Sequence, residues 1–290
     1  MKNPFRHRLT KSRIANRSRT GNLLILLVLL LMGIFSALPL VYSVVSSLKP
    51  VDELFAYPPR FFVQRPTGSN YLLLFKLVSN MWVPFSRYLF NSLFISVLVT
   101  VGSVLISSMA AYPLSKYRLR LSWLFDLVVV SLLFTGNVLW LPQYIVLSKL
   151  QMMNTYLVYI IPALASSFGM FLMKQFMDKV PFVLIESALI DGASQYRILF
   201  RIVMPQVKPA WLTLTVFAFQ GIWNTQPLNM VFDEQIKLIN MAVQQVITSG
   251  ISRIGPSMAA GVILMIPPLL VFAYTQSSVI ETMASSGIKE

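Results

Sequence analysis

Apolar residues in this chain occur in long runs rather than in short amphipathic segments. Six stretches of 22 to 29 residues contain no Lys, Arg, Asp or Glu: 20–48, 88–115, 127–148, 150–173, 209–232 and 254–280. A helix needs about 20 apolar residues to cross the roughly 30 Å hydrocarbon core of a bilayer. Each stretch is therefore predicted to be one membrane-spanning helix.

These runs predict helices rather than the strands of a barrel. Residues 23–31 are continuously apolar, whereas barrel strands alternate apolar and polar positions. A helix also satisfies its own backbone hydrogen bonds in lipid. The predicted fold class is all-α, a polytopic membrane protein with six transmembrane helices. We expect a basic tail (1–20), a six-helix domain (21–280) that includes an inner loop (174–209), and a C-terminal tail (281–290).

Composition supports a membrane location and excludes several kinds of chemistry. Hydrophobic residues make up 56% of the chain and charged residues only 12%, about half the share that is usual in soluble domains. The chain has no Cys and a single His, His7, which excludes cysteine-based metal sites, thiol nucleophiles and histidine-based triads. We expect no catalytic residue and no metal site.

Basic residues predict the orientation and account for the net charge of +14. The N-terminal tail and the even-numbered connections, with the C-terminal tail, hold sixteen Lys and Arg residues, and the odd-numbered connections hold eight. Positive residues accumulate on the cytoplasmic side, so both termini are predicted to be cytoplasmic. Because these residues border apolar spans, they favour anionic lipid as a partner, and nucleic-acid binding is not expected.

The predicted spans contain amides and indoles but no ionisable group deep in the membrane. Ion-coupled carriers usually hold such groups near the midplane, so their absence argues against that class. Amides bond hydroxyl groups in both directions and an indole covers an apolar sugar face, which favours a sugar pathway. The alternative is hydrogen bonding between helices with interfacial tryptophan anchoring. The candidate pathway residues are Asn137, Trp140, Gln143, Gln220, Trp223 and Asn224.

The inner loop 174–209 is too charged to span a membrane and too apolar for a simple linker. Its pattern predicts a helix beginning at Pro181, a turn at Asp191-Gly192, and a second helix before Pro205. The apolar positions predicted to lie on the two helix faces are Ile185, Ala188 and Leu189, then Tyr196, Leu199, Phe200 and Val203. Such a helical elbow fits a groove on another protein, or else lies on the membrane surface.

The elbow resembles the EAA loop of ABC-importer permeases. Glu186-Ser187-Ala188, Asp191-Gly192-Ala193 and Ile202-x-x-Pro205 keep the spacing of that motif, with Ser187 and Met204 as departures. Shorter matches, spread over residues 20–290, are similar to the carbohydrate-uptake branch with its maltose-type small permeases. They are Ser47-Leu48-Lys49-Pro50, Asn91-Ser92, Ala110-Ala111-Tyr112, Leu114-Ser115-Lys116, Trp223-Asn224 and Gly287-Ile288-Lys289.

The resemblance implies the type I ABC-importer permease fold in a bacterial cytoplasmic membrane. It implies four kinds of partner: a second permease subunit in a heterodimer, two copies of a cytoplasmic ATPase, an extracytoplasmic solute-binding protein, and a sugar or oligosaccharide. The residues expected to couple to the ATPase are Glu186, Ser187, Ala188, Asp191, Gly192, Ala193 and Pro205.

ATP hydrolysis is expected in the partner rather than in this chain. The nearest approach to a phosphate-binding loop, 250–257, has Pro256 where that motif requires Lys. The chain is thus expected to bind no cofactor, with ATP and Mg²⁺ used by the ATPase subunits. The alternatives are a permease of the same superfamily for a non-sugar solute, and an ion-coupled secondary transporter or membrane enzyme.

Overall fold

The computed structural model describes residues 19–79, 82–117, 123–134, 136–226, 230–247, 250 and 253–287, and all regular structure in these ranges is helical. A π-helical turn (Leu199–Val203) and a 3₁₀ turn (Glu234–Ile236) supplement the α-helices. The α-helices are α1 (Arg19–Ser47), α2 (Val51–Leu54), α3 (Ser69–Ser79), α4 (Phe85–Lys116), α5 (Trp123–Ser131), α6 (Gly136–Lys149), α7 (Leu157–Leu164), α8 (Ser167–Asp178), α9 (Val183–Ile190), α10 (Gln195–Ile198), α11 (Met204–Gln206), α12 (Lys208–Trp223), α13 (Ile239–Ile247) and α14 (Ile254–Gly287).

Four helical segments of the described residues are long and apolar enough to cross a membrane. They are Gly21–Ser47, Phe85–Lys116, Leu157–Asp178 and Ile254–Gln276. A fifth span is possible if Gln195–Gln206 and Lys208–Trp223, which meet at an angle of 86°, are counted together. The expected count of six is therefore not confirmed, although the chain is all-helical with several membrane-length helices.

The third predicted span, 127–148, is not one continuous helix. It is divided between α5, which ends at Ser131, and α6, which begins at Gly136 and contains Pro142. A run without charged residues indicates that a segment can reside in lipid. Whether that segment forms one continuous helix depends on the helix propensity of its residues. Gly lowers that propensity, and Gly136 borders the break, whereas Pro142 lies inside α6 and does not end it.

Helix α4 is the centre of the bundle and contacts α7, α8, α12 and α13. Its packed face carries small polar residues, which allow close approach of neighbouring helices. A Cβ atom on Gly169 of α8 would lie 2.6 Å from Ser107 Oγ and 2.9 Å from Leu214 Cδ1. The three helices α4, α8 and α12 therefore meet at this glycine with no room for a side chain.

The end of α1 is held to α3 by a buried amide. Asn70 Nδ2 donates to the carbonyl oxygens of Ser47 (2.8 Å) and Lys49 (2.7 Å), and the Ser47 and Tyr71 hydroxyls are 2.8 Å apart. Gly255 at the start of α14 lies against Asn70, since a Cβ there would be 2.2 Å from Asn70 Oδ1. The Ser47–Pro50 motif thus ends the first span and positions it against α3 and α14.

Candidate functional site: an inner helical elbow

The predicted helix–turn–helix of the inner loop is confirmed. Helix α9 ends at Ile190, and a second helical segment runs over Gln195–Gln206. The Ser194 side chain accepts a hydrogen bond from the Arg197 amide and caps the start of that segment. We call residues 181–206 the elbow.

Gly192 permits the sharp turn at the tip of the elbow. Its φ is +75°, a left-handed value that L-residues with a side chain rarely adopt. The Gly192 amide donates to the Leu189 carbonyl (3.0 Å), and the Ala193 amide donates to the Ala188 carbonyl (2.9 Å). These two bonds form a Schellman motif, which satisfies the last carbonyls of α9.

One side of the elbow packs on the C-terminal ends of α4 and α8. Ile185 and Ala188 of α9 are buried in a cluster with Met173 and Met177 of α8. The second segment buries a row that recurs every four residues: Leu199, Val203 and Val207. This side of the elbow is part of the permanent core of the chain.

Four of the predicted face residues, Ile185, Ala188, Leu199 and Val203, are thus buried in the chain's own core, and the other three remain exposed for a partner or the membrane surface. Leu189, Tyr196 and Phe200 are 40%, 66% and 40% exposed. The π-helical turn at Leu199–Val203 has a wider repeat than an α-helix. The predicted apolar face of the second segment is therefore divided: Leu199 and Val203 face the core of the chain, and Tyr196 and Phe200 face outward.

Three hydrogen bonds from the end of α4 and the residue after it hold the elbow in place. Lys116 Nζ donates to the Val180 carbonyl at 2.7 Å, just before the elbow begins. The hydroxyls of Tyr112 and Tyr117 donate to Gln195 Oε1 at 2.9 and 2.8 Å. The sequence analysis included Tyr112 and Lys116 only as parts of short motifs. It missed Gln195, because no motif or periodic pattern marks that position.

The outer surface of the elbow combines acid, glycine and apolar side chains. Glu186, Ser187, Asp191 and Gly192 are exposed, whereas Ala188 is buried, Ala193 is half-buried and Pro205 is exposed. Within the described ranges, neither Glu186 nor Asp191 forms an ion pair. The most exposed large apolar residues on this surface are Val183, Ile190 and Tyr196, which are all more than 60% exposed.

The elbow joins the bundle through a bend that an indole holds. The segments Gln195–Gln206 and Lys208–Trp223 meet at 86°. Trp211 Nε1 in the first turns of α12 donates to the Met204 carbonyl on the other side of the bend, at 3.2 Å. This bond joins the elbow to the first turns of α12 across the bend.

The candidate pathway residues separate into two groups. In α6, Trp140 is 45% exposed and stacks on Tyr144 with ring centroids 6.0 Å apart, and Gln143 is half-buried. The side chain of Asn137 lies outside the described residues.

In α12, the amides and the indole point in different directions. Gln220 and Asn224 line an open groove of about 450 Å³ against Gly261 and Met265 of α14. Trp223 is buried, and its Nε1 donates to the Leu264 carbonyl at 3.0 Å. Trp223 is thus a packing residue in this conformation, and its part in a solute pathway stays a prediction.

A polar cluster at the opposite end of α4 holds the connection between α12 and α13. Asn91 Nδ2 donates to the carbonyls of Gln235 (2.8 Å) and Lys237 (3.1 Å), and Ser92 Oγ accepts from the Ile239 amide (2.7 Å). The short Asn91-Ser92 motif is therefore a clamp on this connection.

An ion pair reinforces this clamp. Glu234 is paired with Lys237 and accepts the Tyr88 hydroxyl at 3.1 Å. Partial burial acts to raise the pKa of Glu234, but the hydrogen bond and charge of Lys237, helped by Tyr88 and Gln245, outweigh it and hold that pKa below its usual value.

The geometry defines a class of protein: a helical membrane bundle that presents a rigid elbow on one side. Residues 14–280 match the family of binding-protein-dependent transport system inner membrane components, and the chain belongs to this family. It is a membrane permease component of a transport system and is not the ATPase.

Known proteins similar to this chain share most of its length. The chain is 27% identical to the arabinooligosaccharide transport permease AraQ of Halalkalibacterium halodurans, over 87% of this chain and 90% of AraQ. It is 31% identical to the sn-glycerol-3-phosphate transport permease UgpE of Pectobacterium atrosepticum, over 86% and 91%. A chain from the crystal structure of a bacterial ABC transporter that imports the acidic polysaccharide alginate matches with a TM-score of 0.75, covering 90% of this chain and 98% of that one, at 20% identity.

Proposed function

We propose that this chain is one permease subunit of an ATP-driven, binding-protein-dependent importer for a sugar or oligosaccharide. The observation that carries the proposal is the elbow. It is fixed to α4 and α8 on one side, it is connected to α12 through a held bend, and its other side is exposed with acids and apolar residues.

In this proposal, the exposed side of the elbow docks into a cleft on a cytoplasmic ATPase. Val183 and Ile190 supply apolar contact area, and Glu186 and Asp191 meet basic groups or helix N-termini of the partner. Ser187, Ala193 and Pro205 complete the coupling segment. When two ATPase subunits close on ATP and Mg²⁺, they tilt the elbow, and the Lys116 and Trp211 contacts carry that tilt into α4 and α12.

The proposed topology has six spans with both termini in the cytoplasm. The third span is formed by α5 and α6 as a broken helix, and the fifth is α12, which continues from the bent elbow. This arrangement places the elbow on the side that is richer in Lys and Arg. In this proposal, ATP and Mg²⁺ are bound by the ATPase subunits rather than by this chain.

The proposed solute is neutral and rich in hydroxyl groups. AraQ is named for the transport of arabinooligosaccharides, and Gln220 and Asn224 present amides to an otherwise apolar groove. The solute would be delivered by a binding protein on the side of the Asn91 clamp. It would pass between this chain and a second, different permease subunit, which completes the pathway.

A phosphorylated solute is the second candidate, because UgpE is named for sn-glycerol-3-phosphate transport. The two candidates are separated by the solute that stimulates ATP hydrolysis in the complete complex with its binding protein. Stimulation by neutral oligosaccharides supports the main proposal. If only a phosphorylated solute stimulates ATP hydrolysis, the main proposal is wrong and the second candidate replaces it.

The coupling role is tested with Glu186→Lys in the full transporter, using a tagged chain in its native host. We expect normal membrane insertion, loss of the co-purifying ATPase and loss of solute uptake, because the charge at the docking surface is reversed. Asp52→Lys is the control for a charge reversal, since it makes the same charge change in the connection after α1, where it also removes the ion pair with Arg65. Wild-type uptake by Glu186→Lys would remove the elbow from the mechanism. Transport by the purified chain alone without ATP would instead indicate an ion-coupled carrier.

A further inference from the structure

We propose that the groove between the inner parts of α12 and α14 binds the headgroup of an anionic phospholipid. The groove has a volume of about 850 Å³ and is lined by Lys208, Trp211, Leu270, Tyr274 and Thr275, among others. It lies beside the bend, below the groove that holds Gln220 and Asn224.

The groove lies at the depth of the membrane surface. Helix α14 begins at Ile254, and Tyr274 lies about 30 Å along the helix from Ile254 at 1.5 Å per residue. That distance equals the thickness of the hydrocarbon core. Lys208 begins α12 at the same groove, so the polar end of the cavity is at headgroup level.

The lining matches the chemistry of a phospholipid with a negatively charged headgroup. Lys208 is exposed and has no acidic partner in the described ranges, which leaves its ammonium group available for a phosphate oxygen. Tyr274 is 86% exposed and adds a hydroxyl donor. Basic pockets between transmembrane helices on the cytoplasmic side are typical sites for anionic headgroups.

The remaining wall is suited to an acyl chain. Leu270 lies one turn above Tyr274 on α14 and is 66% exposed, and the Trp211 ring faces the same cavity. Tryptophan and tyrosine are enriched at membrane interfaces because one end is apolar and the other wet. Since Trp211 also donates to Met204, a lipid in this groove stabilises the bend between the elbow and α12.

The test measures quenching of Trp211 by brominated lipids in vesicles of the full-length chain. Brominated phosphatidylglycerol and brominated phosphatidylcholine are compared at equal content, and the Trp211 signal is the difference between the wild type and Trp211→Phe. One lysine near the surface favours an anionic lipid by about fivefold. We expect that preference in the wild type, its loss in Lys208→Gln, and its retention in the control Lys179→Gln.

Several outcomes would overturn the proposal. Equal quenching by the two lipids, or an unchanged preference in Lys208→Gln, would exclude a lipid phosphate site. Loss of the preference in excess inorganic phosphate would indicate a site for free phosphate. Loss of quenching after assembly with the second permease would show that protein covers the groove. If Trp211→Phe fails to fold, native mass spectrometry of lipids retained by the wild type and Lys208→Gln gives the same comparison.

This inference is independent of the coupling role, because lipid binding is measured without transport. Only its assignment to the inner leaflet rests on the proposed orientation. Vesicles with anionic lipid in both leaflets report binding in either orientation, so failure of the lipid site and failure of the proposed function are distinguishable.

Discussion

The ammonium group of Lys116 lies 2.7 Å from the carbonyl oxygen of Val180. This bond joins the end of the central helix α4 to the residue that precedes the elbow. Together with the Tyr112 and Tyr117 bonds to Gln195, it ties the end of α4 to the elbow at two positions.

Lys116→Met is predicted to loosen that connection without preventing insertion. An unpaired carbonyl costs about 1–3 kcal/mol when it stays buried, and the first turn of the elbow loses its tether. We expect ATP hydrolysis that is less dependent on solute and binding protein, with a reduced uptake rate. Lys179→Met is the control, since the Lys179 ammonium lies 4.9 Å from the Phe176 ring centre. Equal effects of the two variants would contradict a specific role for Lys116.

Gly192→Ala is predicted to destabilise the tip of the elbow. A Cβ there meets no atom within 4 Å, so the cost comes only from the left-handed backbone at φ +75° and amounts to about 1–2 kcal/mol. We expect weaker ATPase co-purification and lower uptake. Gly33→Ala in α1 also meets no atom within 4 Å and has no positive φ, so it should leave both measurements unchanged. An active, fully assembled Gly192→Ala transporter would show that the tip geometry is not needed.

The Glu234–Lys237 pair predicts a pH dependence of stability. Because the pKa of Glu234 is lowered in the folded chain, its stabilisation is fully present above the ordinary carboxyl pKa and is lost as pH falls through the lowered value. Glu234→Gln should therefore reduce the free energy of unfolding by about 1 kcal/mol at neutral pH.

Thermal unfolding in detergent as a function of pH checks this expectation. The stability gap between the wild type and Glu234→Gln should be constant above about pH 5 and narrow below it. Lys237→Met removes the same pair and should show the same narrowing. If the stability difference between the wild type and Glu234→Gln widened as the pH fell, the Glu234–Lys237 pair would not be the source of the pH dependence.

Substitution of the groove amides separates solute contact from packing. Gln220→Leu combined with Asn224→Leu should raise the solute concentration needed for half-maximal uptake, because hydroxyl partners are lost, while the melting temperature stays unchanged. Trp223→Phe should lower the melting temperature and leave the solute concentration for half-maximal uptake unchanged. It loses the bond to Leu264, at about 1 kcal/mol of stability, and keeps solute handling. If the uptake kinetics of the double variant equal those of the wild type, the two amides contribute to helix packing and do not contact the solute.

The sequence alone determined the membrane environment, the helical class and the position of the elbow. These features depend on local quantities: the length of a charge-free run, the lack of alternation, and a glycine at a turn. Gly192 illustrates this, since a left-handed residue after an amphipathic helix is a local requirement that the sequence states directly.

Tertiary structure decided which faces are buried and where the helices break. Leu199 and Val203 share an apolar face with Tyr196 and Phe200 by spacing, yet the core of the chain buries the first two and leaves the second two exposed. The third apolar window divides into two helices, and Gln195 acquires its role only because two tyrosines from α4 reach it. Such contacts join residues about 80 positions apart, and no periodicity along a single chain encodes which partner will be there. Packing of α4 against the elbow supplies that information.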